Sequence, residues 1–477
     1  MRRAAVAYTA LGMLQRGLAL LLLPFLARAM SVEQFGTASL LLVGNLLLVV
    51  VFGAGTDQAV LHATARESED PSRRGVLRAA RIWLLCVVPS GALVLAALVW
   101  FTNPSFLGVD GRLWAIEVAA AGLGAFAIAY AAPRLRVQRR IQAYAVLTGV
   151  TVVATVGSRI LLVVGLHLGP TGWALSDLIT ACVTIFTAAA ILGRRDLTEA
   201  RATVRSLARF ALPLLPSALS LWAMTSLNRP LAALVLSLEA VGLLSAAASA
   251  AGAAILLCVE LNRALQPEYA REGFPAPMPN SAAAMRIQLW AGVVAAVLTC
   301  LLTPLFVQVV LPAPFASIMP TLAILSLSTV AWTLWAIANN ITILTARNTR
   351  WSWLGTFSGA AVLAAGTLPL GSALGIEGVA IASVAAYGTM AAVALVTLRA
   401  LRLDVSLPKG GLNITWAVPA GLALSLAVLP LVFRAHFPLW IAATGAAVLI
   451  CIFQGLQLRH DRADPEGSRI ACPNSKP

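Results

Sequence analysis

The sequence predicts an all-α integral membrane protein with fourteen transmembrane helices. They form two parallel six-helix lobes, followed by a C-terminal helix pair. Three observations predict this. The 477 residues are 60% hydrophobic and only 11% charged, with a mean hydropathy of +0.87. A helix needs about 20 apolar residues to cross the hydrocarbon core, so most of the chain belongs in lipid. The apolar segments alternate with short basic loops, which is the cytoplasmic-loop bias of membrane proteins. Finally, the chain carries an internal duplication: Pro24, Ala27, Ser31, Glu33, Gly36 and Ser39 return without a gap as Pro230, Ala233, Ser237, Glu239, Gly242 and Ser245. The same spacing links Gly165, Leu168, Gly169, Gly172 and Ala174 to Gly371, Leu374, Gly375, Gly378 and Ala380.

Hydropathy places the spans near 6–29, 35–57, 80–102, 113–132, 141–166, 171–192, 210–236, 240–262, 285–310, 317–344, 351–370, 375–398, 413–433 and 438–458. Of the 34 Lys and Arg, Arg16, Arg159 and Arg229 lie inside spans, and Arg28, Arg112 and Arg434 lie on one set of loops. The remaining 28 lie on the alternate loops and the two tails, which predicts that both termini are cytoplasmic. Six spans per repeat is an even number, so the two copies enter the membrane in the same direction, related by an axis along its normal. The expected organisation is a first lobe at 1–199, a second at 200–405, an extra helix pair at 406–458 and a disordered cytoplasmic tail at 459–477.

Composition also excludes functions. The net charge of +15 is carried almost wholly by arginine in short loops, so it marks membrane topology and no nucleic-acid partner is expected. The six cysteines, Cys86, Cys182, Cys258, Cys300, Cys451 and Cys472, show no metal-ligand spacing, so neither a metal nor a cofactor is expected. No phosphate-binding loop of the nucleotide-hydrolysing kind is present, and the outer loops are too short for the catalytic groups of a glycan polymerase or ligase.

The repeated turn has a local explanation. Ser31 and Ser237 suit helix N-caps, Glu33 and Glu239 suit the positive first turn, and Gln34 stands where a capping-box partner would. Gly36 and Gly242 would admit a close helix neighbour. The second repeated motif, GxxLGxxGxA, reads as a tight outer connection. Pro213, Pro216 and Pro230 are expected kink sites in the seventh span.

On these residues the chain resembles the polysaccharide flippases of the MOP superfamily, whose relatives include the lipid II flippase and the MATE antiporters. The resemblance covers about residues 5–400. It lies in Leu26-Ala27-Arg28 with Phe35-Gly36, in Phe52-Gly53-Ala54-Gly55, and in the run from Arg209 to Leu219 (RFALPLLPSAL). Val241-Gly242-Leu243-Leu244-Ser245 and the run from Leu265 to Arg271 complete it. Two positions depart from the pattern: many members carry Asp-Arg where this chain has Asn228-Arg229, and Tyr where it has Leu244. The resemblance implies alternating access that moves a polyprenyl-pyrophosphate-linked oligosaccharide from the inner to the outer leaflet of a bacterial-type cytoplasmic membrane. It also implies membrane lipids and the polysaccharide polymerase machinery as partners. Fourteen spans are a feature of the lipid II branch, where the extra pair lines a groove for the lipid tail. The soft seventh-span motif is a feature of the capsule and O-antigen branch.

An anionic headgroup needs cationic groups in an interlobe cleft, and arginine pairs bidentately with phosphate oxygens. A charge in a span costs about 2.5–3.5 kcal/mol on insertion scales, so each of the three is read as internal. Arg16, close to the midplane, is the leading headgroup ligand, with Gln15 beside it. Arg229 and Asn228 face either the cleft or the outer interface. Arg159 lies at the depth of Asp177 on the neighbouring span, so the pair reads either as a structural ion pair or as part of the cavity. Asp57, Asp177 and Glu260 are the acids considered for a coupling ion, with hydration or loop pairing as the plainer reading. Asn339 and Asn340 suit either sugar hydroxyls or a helix bridge. A lipid II flippase or a MATE-like ion-coupled antiporter is the alternative transport reading, although a midplane arginine argues against cationic cargo.

Overall fold

A computed structural model describes residues 22–65, 72–193, 204–271, 279–345, 351, 353–401, 414–432 and 437–463. Among these residues the structure is helical throughout, apart from turns, short links and one isolated bridge between Phe106 and Val109. The elements in order are α1 (22–29), α2 (Val32–Gly53), α3 (Thr56–Ala65), α4 (Arg73–Thr102), α5 (Gly111–Val137), α6 (Ile141–Gly165) and α7 (Gly169–Leu192). They continue with α8 (Val204–Ser226), α9 (Asn228–Ala233), α10 (Leu238–Arg271), α11 (Ala283–Val310) and α12 (Ala313–Leu344). The last are α13 (Trp353–Ala400), α14 (Ile414–Val432) and α15 (Phe437–Ala463).

Eleven of the described helices are long and apolar enough to cross a membrane. The 48-residue α13 contains two of the expected spans, separated at Gly375, whose φ of 63° is outside the helical range. Val418–Val432 of α14 is a shorter apolar helix. Of the first expected span only residues 22–29 are described, so the count of fourteen rests on sequence. Large apolar side chains point outward along these helices, with Phe101 85% and Phe186 74% exposed. Lipid is the solvent that suits such faces.

Two of the expected spans are broken, each for a local reason, the seventh near two of the prolines expected to kink it. The second is interrupted after Gly53, where Ala54 (φ 44°) and Gly55 (φ 73°) take left-handed conformations before α3 starts. A Cβ on Gly55 would meet the Ala211 carbonyl, so the glycine serves both the bend and a close helix contact. The seventh span turns through a 3-10 segment at Leu212–Leu214, around Pro213, and breaks again at Leu227. Pro230 lacks the N–H that would bond the Ser226 carbonyl, which accounts for the second break.

Packing divides the described chain into two compact units. The first comprises the described residues within 1–253, 306–318 and 356–386, and the second those within 254–305, 319–355 and 387–477. In the first unit Phe126 stacks on Tyr130 (5.3 Å between centroids) in a core with Leu84, Leu135 and Leu207. Small residues set the helix spacing, as they do where lipid removes the hydrophobic drive to associate: Gly44 lies under Trp114, and Gly122 against Ala92. In the second unit α14 and α15 pack on α11 and α12 through an alanine-rich core. There Trp290 lies over Gly455 and donates its indole N–H to the Cys451 carbonyl at 2.9 Å.

The repeated turn is built as a helix cap in both copies. Ser31 Oγ accepts the Gln34 N–H and Gln34 Oε1 accepts the Ser31 N–H, each at 3.1 Å, a complete capping box. Ser237 Oγ accepts the Ala240 N–H at 3.2 Å. Replacing Ser31 with Ala is expected to lower stability by about 1 kcal/mol, the usual worth of such a cap. Thermal unfolding of the detergent-solubilised protein checks this. In the other repeated motif Gly169 and Gly375 both take positive φ (55° and 63°), and a Cβ on Gly172 or Gly378 would strike a leucine carbonyl (Leu162 or Leu370) of the span before that glycine.

Candidate functional site

The N-terminal ends of α2 and α10 meet within the first unit, and they meet reciprocally. A Cβ on Gly36 would run into the Leu238 carbonyl and lie 2.9 Å from the Gly242 nitrogen. A Cβ on Gly242 would run into the Val32 carbonyl and lie 3.1 Å from the Gly36 nitrogen. Each residue thus touches the repeat equivalent of the residue its own equivalent touches, as an isologous contact about a two-fold axis requires. Ser245 Oγ donates to Ser39 Oγ at 2.7 Å, across 206 positions, and Ser39 Oγ donates to the Gly36 carbonyl at 2.8 Å. Around this axis Trp222 donates to the Val43 carbonyl at 3.2 Å, and Phe35 meets Phe315 edge-on. Arg28 reaches the Val309 and Val310 carbonyls at 3.4 Å.

A second constellation lies among α2, α5, α6 and α7. Arg159 Nη2 donates to Asp177 Oδ1 at 2.5 Å and its Nε to Ser176 Oγ at 3.2 Å, while the guanidinium lies 3.9 Å from the Trp173 ring centroid. Arg159 is therefore held by a carboxylate, a hydroxyl and an aromatic face. Near it Glu117 is completely buried (0% exposed) and accepts from Asn45 Nδ2 at 2.7 Å. Sequence reasoning passed over Glu117 and Asn45. The available signal was an acid inside an expected span, muted because Glu117 stands only a turn from the start of that span.

The other expected site residues are placed as follows. Asn228 is buried at the start of α9, and its Nδ2 lies 3.4 Å from Ser383 Oγ. Arg229, next to it, is half-buried. Arg16 and Gln15 lie outside the described residues. Asn340 Nδ2 and Gln288 Nε2 both donate to Asn262 Oδ1, at 2.7 and 2.6 Å, and Tyr269 donates to Gln288. Asn340 therefore bridges helices. Glu260 pairs with Arg263 at 2.5 Å on its own helix, and Asp57 accepts from Gln58 at 2.9 Å. A cleft of about 340 Å³ in the first unit is lined by His62, Arg73, Ser206, Arg209 and Phe210 among others, with His62 stacked on Phe210 at 5.2 Å.

Residues 1–267, more than half of the chain, match the family model described as polysaccharide biosynthesis protein. The chain belongs to that family. No curated protein sequence matches this family member. Among solved structures it resembles the lipid II flippase MurJ in an inward closed conformation, with a TM-score of 0.68 at 11% identity over 97% of this chain and 100% of that one. It also resembles a multidrug resistance MATE family transporter of the MOP superfamily in an inward-facing conformation, with a TM-score of 0.63 at 16% identity over 80% and 94% of the two chains. A MOP superfamily transporter from Pyrococcus furiosus gives 0.54 at 16% identity over 84% and 95%. These likenesses establish that this polysaccharide biosynthesis protein has the all-helical membrane fold of MOP transporters.

Proposed function

We propose that the protein is an alternating-access flippase that carries a polyprenyl-pyrophosphate-linked oligosaccharide from the inner to the outer leaflet for cell-surface polysaccharide assembly. Family membership supports the process, and the fold shared with the lipid II flippase supports the mode of action. The observation that carries the reading is the reciprocal Gly36–Leu238 and Gly242–Val32 contact. Helices from the two repeat copies close on one another through equivalent residues, and such a contact can open and re-form without rebuilding either helix.

In this reading 1–199 and 200–405 are the moving lobes, 406–458 is an added pair, and both termini are cytoplasmic. Arg16, Gln15, Asn228 and Arg229 are the proposed headgroup ligands. Arg159, engaged by Asp177, Ser176 and Trp173, is assigned to holding α6 on α7. Arg16→Ala is expected to reduce translocation about 10- to 100-fold, since a hydrogen bond to a charged group is worth about 1.5–3 kcal/mol. The assay is the transfer of a lipid-linked oligosaccharide across proteoliposomes containing correctly inserted protein. Wild-type transfer by that variant would remove Arg16 from the headgroup site.

A further inference from the structure

We propose that the cleft among α3, α4 and α8 binds a phosphate group, the one carried by an anionic phospholipid of the leaflet on the side of the basic loops. The cleft follows from the pattern of three short stretches. Ala59, Val60 and Ala63 of α3 are buried, as are Val76, Leu77 and Ala80 of α4. At the start of α8, Leu207 and Ala211 stand one turn apart and are buried in the same core. Arg205 and Arg209, also one turn apart, lie on the opposite side of that helix and are exposed. Ser206 and Phe210 lie between the two faces, and with Arg209 they form one wall of the cleft.

Close contacts fix the opening. A Cβ on Gly55 would lie 2.5 Å from the Ala211 carbonyl, so α8 starts directly against the bend that leads into α3. The His62 ring of α3 stacks on Phe210, which ties the two walls together. The resulting space of about 340 Å³ falls within the range of about 300–1,000 Å³ that small-molecule sites occupy.

The lining has the chemistry of an anion site. Arg73 and Arg209 reach it from different helices, and His62 and Ser206 add side-chain donors. No carboxylate belongs to the lining among the described residues. Arg209 is exposed and enters no ion pair among those residues. A planar guanidinium pairs bidentately with phosphate oxygens, and two of them on one space suit a phosphate better than a carboxylate.

The surface around the mouth indicates what carries that phosphate. Val204, Phe210 and Leu212 are exposed, interleaved with Arg205 and Arg209. Apolar side chains alternating with arginines are the composition of a segment that lies in the headgroup layer. A soluble phosphate gains nothing from those apolar groups. A phospholipid can lay its acyl chains against them while its phosphate enters the cleft, as anionic headgroups do in basic pockets between membrane helices. The end of α3 and the starts of α4 and α8 all adjoin loops of the arginine-rich set, so one leaflet supplies the lipid.

Thermal unfolding of the full-length, detergent-solubilised protein tests this. Phosphatidylglycerol is titrated in one arm, phosphatidylcholine in a second, and inorganic phosphate in the presence of phosphatidylcholine in a third. A ligand of the folded state raises the midpoint with its concentration. Phosphatidylglycerol is expected to raise it more than phosphatidylcholine does. The double variant Arg73→Gln/Arg209→Gln is expected to need about tenfold more phosphatidylglycerol for the same rise. Arg205→Gln removes a charge from the same turn outside the lining, and is expected to keep the wild-type dependence. Should the double variant fail to fold, Arg209→Gln alone takes its place, because that side chain is exposed. A rise with inorganic phosphate that the same variants lose supports the phosphate site and assigns its ligand to the soluble ion. The proposal is overturned by a wild type that responds alike to both lipids and not to phosphate. It is overturned equally if the lining variants keep the full response, or if Arg205→Gln loses as much of it as they do. Binding is read directly, so a negative result bears on this cleft and leaves the transport proposal standing.

Discussion

Oxidising a Ser39→Cys/Ser245→Cys double variant is expected to stop translocation, and reducing it to restore the wild-type rate. The two hydroxyl oxygens are 2.7 Å apart, so the side chains that would carry the two sulfurs are in direct contact. Both positions are buried in a contact that the proposed alternating access requires to open, since equivalent ends of the two repeat copies meet there. A covalent bond at the axis would therefore hold one state. The background is a chain with its six native cysteines replaced. Either single variant serves as the control, because each keeps a small buried side chain and can form no bond. Cross-linking is scored by gel mobility and translocation in proteoliposomes. An oxidised, fully cross-linked protein that still flips its cargo would show that α2 and α10 never part at this point, and the proposed transport cycle would fail with it.

Much of this contact is legible in the sequence because duplication writes it twice. Gly36 and Gly242 share one spacing with Ser39 and Ser245, and small residues at matched positions are what a two-fold helix contact needs. Arg159 and Asp177 are legible because charge inside a span is costly and each needs a partner at its own depth. Glu117 was not legible. Its burial is produced by α2, α4 and α7 closing around α5, and its hydrogen-bond partner Asn45 is 72 positions away. Near a span end the sequence offers water as an equally good partner, and only packing removes that choice. The break at Leu227 was half legible. Pro230 announces a kink, but its position depends on which carbonyl loses a donor, one turn earlier in the chain.

Removing Asp177 is expected to have the largest effect on stability of any single change in the cluster. Asp177→Ala leaves Arg159 buried, with a serine hydroxyl and an indole face but no hydrogen-bonded carboxylate. Breaking a buried pair by deleting one partner costs about 3–5 kcal/mol, because the remaining charge keeps its desolvation penalty. Against the 5–15 kcal/mol that holds a typical domain together, such a loss is a large fraction. The expected readout is a large drop in the thermal midpoint and poor recovery of inserted protein. The double variant Arg159→Met/Asp177→Leu removes both ions and refills the space with apolar volume, so it is expected to recover most of the loss. That recovery tests the structural role proposed for Arg159. An ion pair that only joins α6 to α7 can be exchanged for packing with translocation retained. An arginine that also holds the headgroup cannot, and the stable double variant would then be inactive.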